Sequence, residues 1–145
     1  MEDLSTVRVL AVDDSAQWRR FVATYLMENL AREVETAADG LEAIEKAREM
    51  QPDVIIMDIW MPRLNGLAAT RKIRNVAAAS GILIVSNERD PDIVQAAFAA
   101  GARGYGLKPL AAVELLTAIE AVVRGKLFIG RGLTGSDSDE PCRNT

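Results

Sequence analysis

The chain has 145 residues, of which 49% are hydrophobic, and a formal net charge of −4. This length and composition fit one domain with a proper core, and the lack of a lysine- or arginine-rich block argues against direct binding of nucleic acid. The sequence has no histidine, which excludes histidine-based triads and zinc sites, and its one cysteine, Cys142, excludes an internal disulfide. No apolar run could span a bilayer and the acidic start is unlike a signal peptide, so we expect a cytoplasmic protein without membrane contact.

Taken in order, short apolar or β-branched runs alternate with amphipathic segments. The runs predict five strands, at residues 7–12, 33–37, 54–57, 81–86 and 104–107, and a helix is predicted after each. The unbroken apolar runs in the third and fourth strands are typical of a parallel sheet that is buried on both faces. The sequence therefore predicts an α/β fold, a doubly wound five-stranded parallel sheet with five helices.

We expect a single domain over residues 1–129. Its helices have clear start signals: Asp39 with Glu42 resembles a capping box, and Asp90-Pro91 combines a capping side chain with proline at the first helical position. From residue 130 onward glycine, serine and acidic residues dominate, which predicts a flexible C-terminal tail over residues 130–145.

Polar side chains follow four of the predicted strands. These residues are Asp13, Asp14, Asp58, Ser86 and Lys108. Because the carboxyl ends of parallel strands share one edge of the sheet, we expect these side chains to converge there. Three carboxylates repel one another unless a cation holds them, and oxygen ligands without histidine or cysteine favour Mg²⁺.

Such a cluster could handle a phosphoryl group. Lys108 offers a compact charge for phosphate oxygens, Ser86 offers a hydroxyl donor, and Asp58 beside Mg²⁺ could act as nucleophile and form an aspartyl phosphate. The alternative for the central segment is structural: Asp58 could begin an ordinary turn that continues through Pro62.

Several motifs, in this order, carry a resemblance to a known family. They are Asp13-Asp14, the loop at residues 58–66, Ser86, Gly101-Ala102, Tyr105 and Lys108-Pro109. Each motif is weak alone, but together they are specific. From residue 7 to residue 129 the chain resembles the receiver domain of two-component response regulators, which has a flavodoxin-like, CheY-like fold.

This resemblance implies a phosphorylation switch in the cytoplasm. Asp58 would accept a phosphoryl group from a histidine kinase or a histidine phosphotransfer protein, and Ser86 and Lys108 would hold its oxygens. Asp13 or Asp14, Asp58 and the backbone carbonyl of Trp60 would bind Mg²⁺. No turnover of an external substrate is expected.

The resemblance also implies how the switch is transmitted. Ser86 and the loop after it would move inward, and Tyr105 would rotate from an exposed to a buried position. The face formed by the fourth helix, fifth strand and fifth helix would then engage an effector or a second copy of the chain.

Two positions depart from the family pattern. Trp60, two residues after Asp58, is large, and we hypothesise that it shields the acyl phosphate from water. Gly106, directly after Tyr105, weakens its strand and is expected to loosen the switch.

Parts of the sequence suggest two other functions. Residues 122–129 resemble receivers that precede a helix-turn-helix domain, so the chain could be the receiver half of a DNA-binding transcription regulator whose output domain is missing from this chain. A phosphohydrolase with Asp58 as nucleophile is less favoured, because Trp60 stands where its second aspartate would be expected.

Overall fold

The computed structural model describes residues 4–29 and 31–133. The strands are β1 Arg8–Val12, β2 Glu33–Ala37, β3 Val54–Met57, β4 Gly81–Ser86, β5 Gly104–Leu107 and β6 Phe128–Ile129. The helices are α1 Ala16–Glu28, α2 Gly40–Met50, α3 Gly66–Val76, α4 Pro91–Ala100 and α5 Ala111–Val123, with a 3₁₀ turn at Lys108–Leu110.

All six strands lie in one sheet, in the order β2-β1-β3-β4-β5-β6, and every neighbouring pair is parallel. The strand order changes direction between β1 and β3, and both of these strands end at the same edge. In a doubly wound sheet this edge is where ligands bind.

The apolar pattern of β3 explains why helices cover both faces of the sheet. Ile55 and Met57 belong to a core cluster that includes apolar residues of α2, α3 and α4, whereas Val54 and Ile56 belong to a second cluster that includes residues of α1 and α5. Successive strand residues point to opposite faces of the sheet, so a strand that is apolar at every position is buried on both faces.

Side-chain caps mark where the helices begin. Asp39 Oδ1 accepts the N–H of Glu42 at 2.9 Å, and Glu42 Oε1 accepts the N–H of Ala38 at 2.8 Å, so the predicted capping box is formed. Asp90 caps α4 through the N–H of Asp92, which confirms the second predicted helix start.

The predicted α/β architecture is confirmed, with one correction. The sheet has six strands rather than five, because residues 128–129 pair with β5 in parallel. Two residues beside a glycine are too short to give a periodic signal.

Of the predicted flexible tail, residues 134–145 lie outside the described residues. Residues 130–133 lie against the domain, with Gly130 and Leu133 buried. Among the described residues, no helix is long and apolar enough to cross a membrane.

Candidate functional site

Three buried polar side chains meet at the carboxyl edge of the sheet. Asp13 follows β1, Asp58 follows β3 and Ser86 ends β4, and each is at most 8% exposed. The ammonium of Lys108, directly after β5, lies 2.8 Å from Asp13 Oδ2 and 2.9 Å from Asp58 Oδ2. The sequence therefore correctly predicts that these residues converge, and one lysine bridges two carboxylates.

Lys108 is held in place by its surroundings. Its side chain is 16% exposed, and its ammonium lies 5.0 Å from the centroid of the Trp18 ring, within the range of a cation–π contact. Burial lowers the pKa of Lys108, but its close contacts with the carboxylates of Asp13 and Asp58 outweigh this effect, so the pKa is raised overall. Lys108 is therefore a fixed positive charge at neutral pH.

Asp13 is held by both of its oxygens. Oδ1 accepts the N–H of Ser15 at 2.9 Å, while Oδ2 is fully buried and contacts Lys108 without good hydrogen-bond geometry. Burial raises the pKa of Asp13, and its contacts with Lys108 and Ser15 oppose that shift without cancelling it. The burial of this carboxylate thus has a larger effect on its pKa than its ion pair does.

Asp14 does not join this pair. Its side chain is exposed, and within residues 4–29 and 31–133 no three acidic, histidine or cysteine residues are grouped closely enough to hold a metal. The expected convergence of three carboxylates is therefore corrected to a convergence of two, Asp13 and Asp58. The physical reason is that the chain bends at Asp14 after β1 has ended at Val12, which leaves Asp13 buried and Asp14 exposed.

The loop after β3 fixes the Asp58 carboxylate. Its Oδ1 accepts the N–H of Ile59 at 2.6 Å, and the N–H of Gly66 donates to Ile59 O at 2.7 Å. A Cβ at position 66 would overlap the backbone oxygen of Asp58. Glycine is thus required for α3 to begin so close to Asp58.

Asn65 completes this loop by capping α3 through the N–H of Ala68, at 2.9 Å. The residues after Asp58 therefore do form a turn, as the alternative interpretation of this segment expects, but the turn positions a buried acid.

Ser86 and Tyr105 are linked through the loop between β4 and α4. Ser86 Oγ accepts the N–H of Glu88 at 3.1 Å, and the Tyr105 hydroxyl donates to Glu88 O at 2.9 Å. Tyr105 is fully buried, and burial raises its pKa to about 12, with its hydrogen bond to Ser86 opposing the shift. The structure thus shows Tyr105 in the buried position and not in the exposed one, and its rotation stays a prediction.

Trp60 lies beside the site with its ring 54% exposed, and its Nε1 donates to Glu88 Oε1 at 2.9 Å. The backbone N–H of Asp90, and then the indole of Trp60, hold the pKa of Glu88 below its usual value. Trp60 is thus tied to the loop after β4.

Glu88 was missed by the sequence analysis, although it contacts Ser86, Trp60 and Tyr105. The available signal was its place in the loop after β4, at the same edge as the other polar residues. A single glutamate in a loop does not otherwise indicate a functional residue from sequence alone.

Comparison with known proteins gives a consistent result. The family model for the response regulator receiver domain matches residues 9–120. The chain is 36% identical to chemotaxis protein CheY of Bacillus subtilis over 112 residues, which cover 77% of this chain and 93% of that protein.

Solved structures agree. The response regulator domain of Thermotoga maritima CheB has a TM-score of 0.76 and 37% identity, with 82% of this chain and 97% of that chain covered. A complex of CheX and CheY with BeF3 and Mg²⁺ from Borrelia burgdorferi has a TM-score of 0.76 and 25% identity, with 80% of this chain and 88% of that chain covered.

Other curated relatives are longer, and the chain spans between 27% and 65% of their length. The family model matches the receiver portion, residues 9–120. The chain belongs to the response regulator receiver domain family of two-component signalling.

Proposed function

We propose that Asp58 is the phosphoacceptor of this receiver. The observation that carries the proposal is the buried bridge in which Lys108 contacts both Asp58 and Asp13, at 2.9 and 2.8 Å. In the transfer, the bond between phosphorus and the donor nitrogen breaks, and an Asp58 oxygen forms a new bond to phosphorus. Lys108 balances the charge that the phosphoryl oxygens bring into a buried site.

The side chains around Asp58 have separate roles in this proposal. Lys108 and the Ser86 hydroxyl grip the phosphoryl oxygens. Ser86 Oγ accepts from the Glu88 N–H, and a hydroxyl that accepts one hydrogen bond can still donate its own hydrogen, which we propose turns toward a phosphoryl oxygen. Because Glu88 also contacts Tyr105, a shift of Ser86 is passed to the start of α4 and to β5.

The site fits Mg²⁺. Two buried carboxylates that share one ammonium, and an Asp13 oxygen without a good hydrogen bond, offer the hard oxygen ligands that this ion prefers. Asp13 or Asp14, Asp58 and the backbone carbonyl of Trp60 would hold it, and it would supply charge neutralisation at the phosphoryl oxygens. Receiver domains of this family generally bind Mg²⁺ for phosphorylation, and the Borrelia complex includes this ion.

The donor would be a histidine kinase or a histidine phosphotransfer protein, the partners of this family. The output face would consist of α4, β5 and α5, and it would bind an effector or a second copy of the chain. The phosphorylated chain would signal by conformation, without turnover of an external substrate and in the cytoplasm.

Intact-mass measurement after incubation with acetyl phosphate and Mg²⁺ tests the proposal. Wild type should gain the mass of one phosphoryl group, hydroxylamine should remove it, and Asp58→Asn should gain nothing. Equal mass gain in Asp58→Asn would refute the assignment. Steady-state release of product from a generic phosphate ester would contradict the absence of turnover.

A further inference from the structure

The chain that follows α5 lies along the outer edge of β5. The N–H of Phe128 donates to Arg103 O at 2.9 Å, and the N–H of Gly130 donates to Tyr105 O at 2.8 Å. We call residues 126–133 the strap. It pairs with the backbone of the central strand of the face that is proposed for output.

Two glycines allow the strap to lie this close. A Cβ at Gly104 would be 3.3 Å from Phe128 Cβ, and a Cβ at Gly130 would meet Gly106 Cα at 3.1 Å and Tyr105 O at 3.2 Å. A Cβ at Gly106 would be 3.8 Å from Phe128 Cε2, which is an ordinary contact distance. The close approach of the strap therefore depends on Gly104 and Gly130.

Polar contacts fasten the strap to α5. Glu114 Oε2 accepts from both the backbone N–H and the Nε of Arg131, at 3.2 and 3.1 Å. Glu114 Oε1 is buried and has no hydrogen-bond partner among the described residues. The fastening therefore contains two charge-assisted contacts from Arg131, whose side chain is largely exposed, and an unsatisfied oxygen that release to water would satisfy.

The strap also reaches the surroundings of Tyr105. Leu133 is 8% exposed and belongs to the same buried cluster as Tyr105, together with Leu107 and Val94. Arg89, in the loop after Ser86, contacts Gly132 O at 3.5 Å. The end of the strap thus contacts the loop after Ser86 and is buried in the cluster that contains Tyr105.

We propose that the strap is an intramolecular clamp that holds Tyr105 in its buried position and covers the edge of β5. The consequence for signalling rests on the proposed function, in which burial of Tyr105 accompanies phosphorylation of Asp58. Two events that favour the same position of Tyr105 favour each other. A fastened strap therefore favours the buried position of Tyr105 before phosphorylation. When the strap is loosened, only phosphorylation of Asp58 favours that position.

The test measures acetylation of tyrosines by N-acetylimidazole, read by peptide mass spectrometry without any phosphodonor. Tyr25, on α1 and bonded to Ala112 O, is the internal reference. Glu114→Ala should raise the ratio of Tyr105 to Tyr25 acetylation about tenfold, the effect expected from losing a charge-assisted contact. Arg131→Ala keeps the backbone contact and should raise the ratio less.

Glu120→Ala is the matched control, because it removes an ion pair with Arg124 on the same helix and should leave the ratio unchanged. Hydrogen exchange at Phe128 and Gly130 reports the strap itself. If these amides lose protection in Glu114→Ala while Tyr105 stays unreactive, the clamp is refuted. If they stay protected in the double variant of Glu114→Ala and Arg131→Ala and Tyr105 stays unreactive, the named contacts do not fasten the strap, and the proposal fails as well.

Adding acetyl phosphate and Mg²⁺ separates this proposal from the function of Asp58. Protection of Tyr105 should return in Glu114→Ala but not in the double variant with Asp58→Asn. If no phosphoryl mass appears, the phosphoacceptor assignment fails and the strap result stands. If the mass appears and protection does not return, the coupling of strap and phosphorylation is overturned.

Discussion

The two aspartates that flank β3 differ in every respect that matters for chemistry. Asp53, before the strand, is exposed and accepts the backbone N–H of Arg8 at 2.8 Å. Asp58, after the strand, is 8% exposed and shares the ammonium of Lys108 with Asp13. Residue type and position at a strand end are thus common to both. Burial beside a shared counterion distinguishes the edge that we propose to be reactive from the edge at which Asp53 lies.

The largest expected effect comes from removing that counterion. Lys108→Ala leaves two buried carboxylates without their cation, so without Mg²⁺ we expect unfolding in urea to require about 3 kcal/mol less free energy than in wild type. Acetyl phosphate should also label it at least about tenfold more slowly, because the phosphoryl oxygens lose a positive partner.

Arg48→Ala is the control for this change, since Arg48 pairs with Glu45 at the exposed surface of α2 at 2.9 Å. The free energy of unfolding of this control variant should fall by no more than about 1 kcal/mol. Equal losses in the two variants would show that the bridge at Asp58 is no more important than a surface pair.

A second prediction concerns Tyr105 at the same buried edge. The pKa of Tyr105 in the folded protein, about 12, lies above the ordinary tyrosine value of 10.0, so the folded state keeps the phenolic proton to a higher pH than the unfolded chain does. This stability is present below pH 10.0 and is lost as the pH rises toward 12, by about 2 kcal/mol.

Tyr105→Phe removes the hydrogen bond to Glu88, so its free energy of unfolding near pH 7 should be about 1 kcal/mol lower than that of wild type. Because phenylalanine has no phenolic proton, the variant should not lose further stability between pH 10 and pH 12 through this position. Stability curves measured against pH should therefore converge above pH 10. Parallel curves would contradict the buried phenol. Lys108 titrates in both proteins, so it does not affect the difference between them.

The smallest effect is expected at the rim of the site, where Trp60 is half exposed. Trp60→Asn should change stability by no more than about 0.5 kcal/mol, and it should speed the loss of the phosphoryl group about threefold if the ring shields the acyl phosphate. Trp60→Phe keeps a ring but loses the N–H bond to Glu88, and it should lie closer to wild type. An unchanged or slower loss in Trp60→Asn would count against shielding.

The sequence predicts best those features that a run of neighbouring residues encodes. The apolar run Val54–Met57 predicted a strand because both of its faces are buried, and the acid after it was then placed by the parallel arrangement. The capping box at Asp39 is a local motif and was also predictable.

What could not be predicted depends on contacts between distant segments. β6 is two residues long, and it pairs with β5, from which α5 separates it in the sequence. Leu133 and Tyr105 share one buried cluster, but no periodic pattern connects them. The exposure of Asp14 follows from the bend after β1, which two adjacent aspartates do not reveal.

Trapping the acyl phosphate tests most directly the claim that the buried aspartate of β3 is the reactive one. Borohydride reduces an aspartyl phosphate to homoserine, and peptide sequencing by mass spectrometry then identifies its position. We predict homoserine at position 58 after treatment with acetyl phosphate and Mg²⁺, and aspartate at positions 13, 14 and 53. Homoserine at any of those three positions, with aspartate at position 58, would contradict the account.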